Sequence, residues 1–235
     1  MVGGFEVDHP FSQGNCHPSV AVFPALLAIA EQEHIDGRTF LTAMALGYEA
    51  LCRIGVGATR AVEDERGFHG PGTNAAFVAA AAVGKALGFS AERLANALGI
   101  AGSHGGGLLE FFREGAMTKR MHIGRGSQMG LESALLAARG FTGPSTVLEG
   151  EHGFFHAYSP APRPELLLKD LGERWLLHDI TIKAYPCHVH SRRWSPRSSS
   201  FARATGSSQH RSRACASPAA AASSKNASAN GSRQR

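Results

Sequence analysis

A mainly α fold resembling a helical bundle is predicted by three features of this sequence. Thr73 stands as a candidate N-cap before Ala75–Leu87, a segment almost wholly Ala, Val, Phe and Leu and therefore expected to be buried on most sides. Ser90 caps a second helix, with Glu92 in its first turn and Leu94, Ala95, Leu98, Ala101 and Gly102 at helical spacing. Only Trp175–Lys183, alternating at Ile180 and Ile182, reads as a strand, and no partner for it is found downstream.

The remaining helices follow from local signals. Pro18 sits at a helix start, and Val20–Glu33 is largely apolar before it ends in charges. Asp36 caps the next helix, in which Phe40, Ala43, Met44, Gly47, Ala50, Leu51 and Ile54 share one face. Met44 and Tyr48 are therefore read as core. Arg53 and Arg60 complement the dipole at its C-terminal end. Gly124–Arg139 forms another helix, a short one runs from Leu166 to Leu171, and Pro160, Pro162 and Pro164 break the chain between them.

Composition bounds the function classes. At 235 residues and 43% hydrophobic content, one domain or slightly more has enough apolar material for a core. The net charge of +5 is unevenly spread, because residues 191–235 hold nine Lys or Arg and no Asp or Glu. Residues 1–190 then carry fifteen basic and nineteen acidic side chains, a balance of −4. The tail from Ser191 to Arg235 has thirteen Ser, ten Ala and no Leu, Ile or Val, so it is expected to be disordered. A basic nucleic-acid arm is one reading of it. A reading-frame shift near Ser191 is the plainer one, because misread GC-rich DNA yields this mixture, and no nucleic-acid partner is expected. Cys16, Cys52, Cys187 and Cys215 share no CxxC spacing, which argues against a disulfide framework or zinc site. His188 and His190 lack a third ligand of known placement, so no metal is expected. With neither a signal peptide nor a membrane span in the sequence, a cytoplasmic protein without membrane contact is expected.

The stretch Gly67–Gly130 concentrates the chemistry. Loops at the ends of its two apolar helices carry His69, His104, Lys119, Arg120, His122 and Arg125. Glu6, Asp8, His9 and His17 lie in an N-terminal loop whose composition alone reads as a solvated coil. By itself the Lys119–Arg125 cluster reads as a solvated face, and SHGGG as a helix stop.

GFHGPGT with its Ala-rich helix, ALGIAGSHGGGLLEFFREGAMTKRMHIGRGSQMG, ARGFTGPSTVLEGEHGF and IKAYPCHVH together resemble the MmgE/PrpD family. That family contains 2-methylcitrate dehydratase, cis-aconitate decarboxylase and iminodisuccinate epimerase. The resemblance covers Phe5 to His190 and implies a large all-helical domain, a smaller α/β lid domain, a homodimer and no metal or other cofactor. It implies a partial helical domain over 1–175, the start of a truncated lid domain over 176–190, and the tail over 191–235.

Residue by residue, Glu6 and Asp8 in GFEVDH match the family's acidic DFDD-type motif, with Glu for the first Asp and His9 for the last. His17 matches the His of HPS, His69 that of GFH, Lys119 the Lys of TKR, and Lys183 the Lys of KPYPC, with Ala184 replacing Pro. The resemblance implies catalytic roles for His69, Lys119, His17, Glu6 and Asp8. It implies substrate binding by Lys183, Arg120, His122 and Arg125. The activity expected is lyase chemistry on a small di- or tricarboxylate, in the manner of 2-methylcitrate dehydration, by cofactor-independent proton transfer. A histidine exchanges the proton near neutral pH, and cations hold the carboxylates and spread developing charge. The alternatives are a family decarboxylase or epimerase, or a catalytically inactive remnant that associates with a partner subunit. Without most of the lid domain, little or no activity is expected. The Ala-rich helices are expected to exceed what the chain itself covers, which points to a homodimer.

Overall fold

A computed structural model describes residues 6–183 and Pro186. The expected disordered tail, Ala184, and the two histidines of H-x-H lie outside the described residues. Five long helices make the body: α1 (Pro18–Glu33), α2 (Gly37–Ala58), α4 (Gly70–Ala86), α5 (Ala91–Ala101) and α7 (Lys119–Ala138). Shorter ones are α3 (Ala61–Asp64), α6 (Phe111–Glu114), α8 (Phe154–Tyr158) and α9 (Glu165–Leu168). The mainly helical class follows directly.

Helix starts obey the local chemistry. Asp36 Oδ1 accepts from the backbone N–H groups of Arg38 and Thr39, and Ser90 Oγ accepts from that of Arg93. Pro18 occupies the first turn of α1, where its missing N–H costs nothing. Two starts differ from expectation. α4 begins at Gly70, and Thr73 lies inside its first turn, its hydroxyl donating to the Gly70 carbonyl. α7 begins at Lys119, five residues before the expected Gly124.

Every residue of α4 from Gly70 to Gly84 is buried, enclosed by α1, α2, α5 and α7. For α4 this corrects the expectation that the Ala-rich helices exceed what the chain itself covers. The α4–α7 seam is built from small residues. A Cβ at Gly126 would lie 2.5 Å from the Ala75 Cβ, and one at Gly130 would lie 2.3 Å from the Ala76 carbonyl oxygen and 2.5 Å from the Ala79 Cβ. The register advances in the same sense on both helices, so α4 and α7 run parallel, and both begin at the same end of the body.

The N-terminal loop is packed rather than solvated. Phe11 and Cys16 form an antiparallel bridge, and both are buried. Gly14 rests on α2, where a Cβ at Gly55 would strike the Gly14 carbonyl oxygen at 2.5 Å. The segment expected as a strand instead holds a 3₁₀ turn at Leu176–Asp179 followed by extended chain. Its partner is upstream. The Thr181 N–H donates to the Pro10 carbonyl at 3.0 Å and the Lys183 N–H to that of Asp8 at 3.4 Å, an antiparallel register. Pro10 has no N–H to return, so the pairing does not develop into a ladder.

Arg53 does more than complement a dipole. It is buried, its Nε donates to Glu49 Oε1 at 2.7 Å, and its Nη atoms donate to the carbonyls of Leu167, Lys169 and Arg174. Glu49 Oε2 in turn accepts from the Leu177 N–H. One ion pair on α2 thus satisfies four backbone groups of residues 167–177 and fixes the approach to Lys183. Among the described residues no helix is long and apolar enough to cross a membrane. Replacing Arg53 by Ala leaves the Glu49 carboxylate buried and unpaired, and the expected loss is about 3–5 kcal/mol. Urea unfolding reads this directly, and a midpoint equal to wild type would show that the pair does not anchor the segment.

Candidate active site

Three helices begin at one small cavity. His17 is the N-cap of α1, His69 that of α4, and Lys119 is the first residue of α7. Glu6, Asp8, His17, Val20, His69, Lys119, Arg120 and Ile123 line the cavity, which has room for about one water molecule. Each helix presents the positive end of its dipole there, an arrangement that favours anions.

The acidic loop and the lysines form one network. Lys183, its side chain fully buried, contacts Asp8 Oδ1 at 2.7 Å and donates to Glu6 Oε2 at 3.0 Å. Lys119 Nζ donates to Glu6 Oε1, so that single carboxylate bridges two ammonium groups. His17 Nδ1 lies 2.6 Å from Asp8 Oδ2. Glu6 holds this position with a left-handed φ of 56°, a conformation uncommon for a residue with a side chain.

Burial works against the Asp8 charge, but the contacts and charges of His17 and Lys183 outweigh it and hold its carboxyl well below the usual carboxylate range. Burial also opposes the Glu6 charge, and Lys119 and Lys183 overcome it in the same direction. For Lys183, desolvation pushes downward while Asp8 and Glu6 push upward more strongly, so its ammonium is held charged above the ordinary value.

His69 is fixed from its backbone. Its N–H donates to the Gly107 carbonyl at 2.9 Å, and the Leu109 N–H donates to the Gly67 carbonyl at 2.9 Å, bridging Phe68 and Leu108. Its ring Nδ1 lies 3.2 Å from Nδ1 of His122, and Phe111 meets both rings edge-on. Gly107 has φ +122°, and a Cβ there would lie 2.8 Å from His122 Nδ1. The GGG run is therefore the bed of this histidine pair as well as the stop after α5. Glu63, whose carboxyl burial pushes upward, accepts from the Gly70 N–H at the start of α4.

Of the residues singled out in the sequence, Glu6, Asp8, His17, His69, Lys119 and Arg120 come together on one cavity, with Lys183 behind the two carboxylates. His122 stands beside His69 and lines a separate open groove. Arg125 does not join them. It is exposed on α7 and donates to Gln128 Oε1, because a residue six positions after Lys119 on a helix points away from it. His104 also lies outside, in the 3₁₀ turn after α5. The His69–His122 contact, across 53 positions, was not visible in the sequence. Its one signal was glycine at three successive positions next to two histidine-bearing motifs.

Residues 1–167 match the MmgE/PrpD N-terminal domain. Human cis-aconitate decarboxylase is 36% identical over 182 residues, which cover 74% of this chain and 37% of that protein. The cis-aconitate decarboxylase-like protein oryM of Aspergillus oryzae is 32% identical over 201 residues, covering 80% and 42%. Cis-aconitate decarboxylase of Aspergillus terreus is 31% identical over 194 residues, covering 77% and 39%. The chain thus spans about two-fifths of the length of these relatives.

The carboxylate network makes stability acid-sensitive. Asp8 and Glu6 titrate lower in the folded chain than their ordinary 3.8 and 4.5, so their contribution is complete above about pH 5 and is lost as pH falls and the unfolded chain binds protons first. Urea midpoints measured from pH 6 to pH 3 should fall more steeply in wild type than in Asp8→Asn. Parallel profiles would deny the network this role.

Proposed function

Because this chain belongs to the MmgE/PrpD family, we propose that it supplies the helical half of a lyase acting on a small di- or tricarboxylate by proton transfer without a cofactor. The observation that carries this reading is the convergence of Lys119, Lys183, Arg120 and three helix N-termini around a buried histidine. The names of the relatives favour decarboxylation of an unsaturated tricarboxylate such as cis-aconitate. In that step a C–C bond to one carboxylate breaks, carbon dioxide leaves, and the electron pair is delocalised towards a carboxylate held by cations. A proton from His69 then bonds to carbon, giving a dicarboxylate. Dehydration of a hydroxy tricarboxylate such as 2-methylcitrate is the second reading. It uses the same histidine as base, and the same cations favour it.

His17 and Asp8 form a paired acid and base at the start of α1, and Lys183 holds Asp8 charged. Glu6 has a different part. The cavity has room for about one water while the Glu6 carboxylate spans Lys119 and Lys183, so a tricarboxylate enters by taking the place of that carboxylate. Homodimerisation is part of the same proposal, with Leu108, Phe112, Met117 and Met121 as exposed apolar side chains around α6 and the start of α7. Residues 176–183 are taken as the first part of the lid domain.

Two experiments test these roles. In a chimera that takes the remaining length from one of the relatives, His69→Gln should lower carbon dioxide release from cis-aconitate by about 10²-fold or more. Unchanged release would remove His69 from the mechanism. In the chain itself, Glu6→Gln should bind cis-aconitate about tenfold more tightly in calorimetry, one charge pair no longer competing for the lysines. Weaker binding would make Glu6 a ligand of the substrate instead.

A further inference from the structure

His69 is held through both of the peptide groups that flank it. On the N-terminal side its own N–H donates to the Gly107 carbonyl at 2.9 Å. On the C-terminal side the Gly70 N–H donates at 2.9 Å to Glu63 Oε1, a carboxylate on α3. A peptide group is planar, so fixing the Gly70 N–H also fixes the His69 carbonyl that shares its plane. With both planes set, φ and ψ of His69 are set, and with them the direction in which its side chain leaves the backbone.

An N-cap residue ordinarily bonds the first turn through a short polar side chain. His69 occupies the N-cap of α4 and makes no such bond, because its ring is turned to the cavity and to His122. Of the first-turn donors, the N–H groups of Gly72 and Thr73 go to the His69 carbonyl at 2.8 and 3.1 Å, and Pro71 has none. The Gly70 N–H remains, and Glu63 takes it with a carboxylate at the positive end of the helix. The same carboxyl meets the acidic loop. The Asn15 side chain approaches it, and a Cβ at Gly70 would lie 3.4 Å from Glu63 Oε1 and 3.6 Å from the Asn15 carbonyl oxygen. Asn15 is buried, has a left-handed φ of 47°, and stands two residues before His17.

From this geometry we infer that Glu63 is a positioning residue for the site: it caps α4 in place of the His69 side chain, which frees that ring for the cavity and fixes its direction, and it ties the start of α4 to the loop that carries His17. The inference rests on His69 as the acid or base proposed above. Glu63 does not line the cavity, so it acts through the His69 backbone. The lever matters because displacing a reacting group by about 1 Å costs on the order of 10²-fold in rate.

The first arm of the test needs no turnover. In the chain itself, Glu63→Leu should speed amide exchange at Gly70 by about tenfold or more. It should also weaken the nuclear Overhauser contact between the His69 and Phe111 rings, whose centroids lie 5.5 Å apart. Glu63→Gln, whose carboxamide oxygen accepts the same N–H, should restore both. If the Leu variant does not fold, Glu63→Asp, one carbon shorter in its reach towards Gly70, is read the same way. Wild-type exchange or ring contact in a folded Leu or Asp variant would overturn the inference, and a Gln variant as impaired as Leu would overturn the hydrogen bond as its cause. The second arm uses the chimera with the remaining length of a relative. There kcat for carbon dioxide release from cis-aconitate should fall about tenfold or more in Glu63→Leu while KM stays within about twofold, and Gln should recover it. An unchanged kcat, or a change in KM alone, would overturn positioning. A chimera inactive before any substitution counts against the lyase reading, and the first arm then decides on Glu63.

Discussion

The close parallel contact of α4 with α7 is the constraint on which the rest depends. Gly126 and Gly130 on one helix face Ala75, Ala76, Ala79 and Ala80 on the other, at distances that leave no room for a single added carbon. Because the helices run parallel, their N-termini arrive together. His69 at the head of α4 and Lys119 and Arg120 in the first turn of α7 therefore share a site, with His122 beside His69, without any of their connecting loops having to reach across the fold. Small residues that look like featureless helix filler set the spacing of the chemistry.

The second requirement is that the two ends of the described chain meet. The N-terminal loop is seated on α2 through Gly14 and Gly55, and residues 167–177 are pinned to the same helix by Glu49 and Arg53. Between them, Asp8 and Glu6 receive Lys183. A fully buried ammonium is tolerated because two carboxylates compensate its lost hydration. The same compensation balances the two lysines and leaves the site filled, and in the proposed binding mode Glu6, which completes the network, stands where a substrate carboxylate would go.

Much of this was legible in the sequence where the signal is local. Asp36, Ser90 and Pro18 mark helix starts because a cap or a fixed φ acts within three residues. Lys119–Ile123 reads as loop in the sequence because its charges conceal helical periodicity, and what packs beneath it makes the helical face clear. The extended partner of Thr181 and Lys183 lies upstream at Asp8–Pro10, not downstream of them. Non-local pairing of that kind leaves no trace in either segment alone. Family resemblance brought Glu6, Asp8, His17, His69, Lys119 and Lys183 together as candidates. It did not reveal that Glu6 bridges the lysines, that His122 pairs with His69, or that Arg125 faces away.

The central claim is that this end of the bundle is a binding site for a small polycarboxylate, closed at present by the chain's own Glu6. A crystal structure of the protein saturated with cis-aconitate tests it most directly. The account predicts a ligand carboxylate between Lys119 and Lys183, Glu6 displaced from both, and His69 against the carbon skeleton. A saturated crystal in which Glu6 still spans the two lysines, with the acid bound elsewhere, would contradict it.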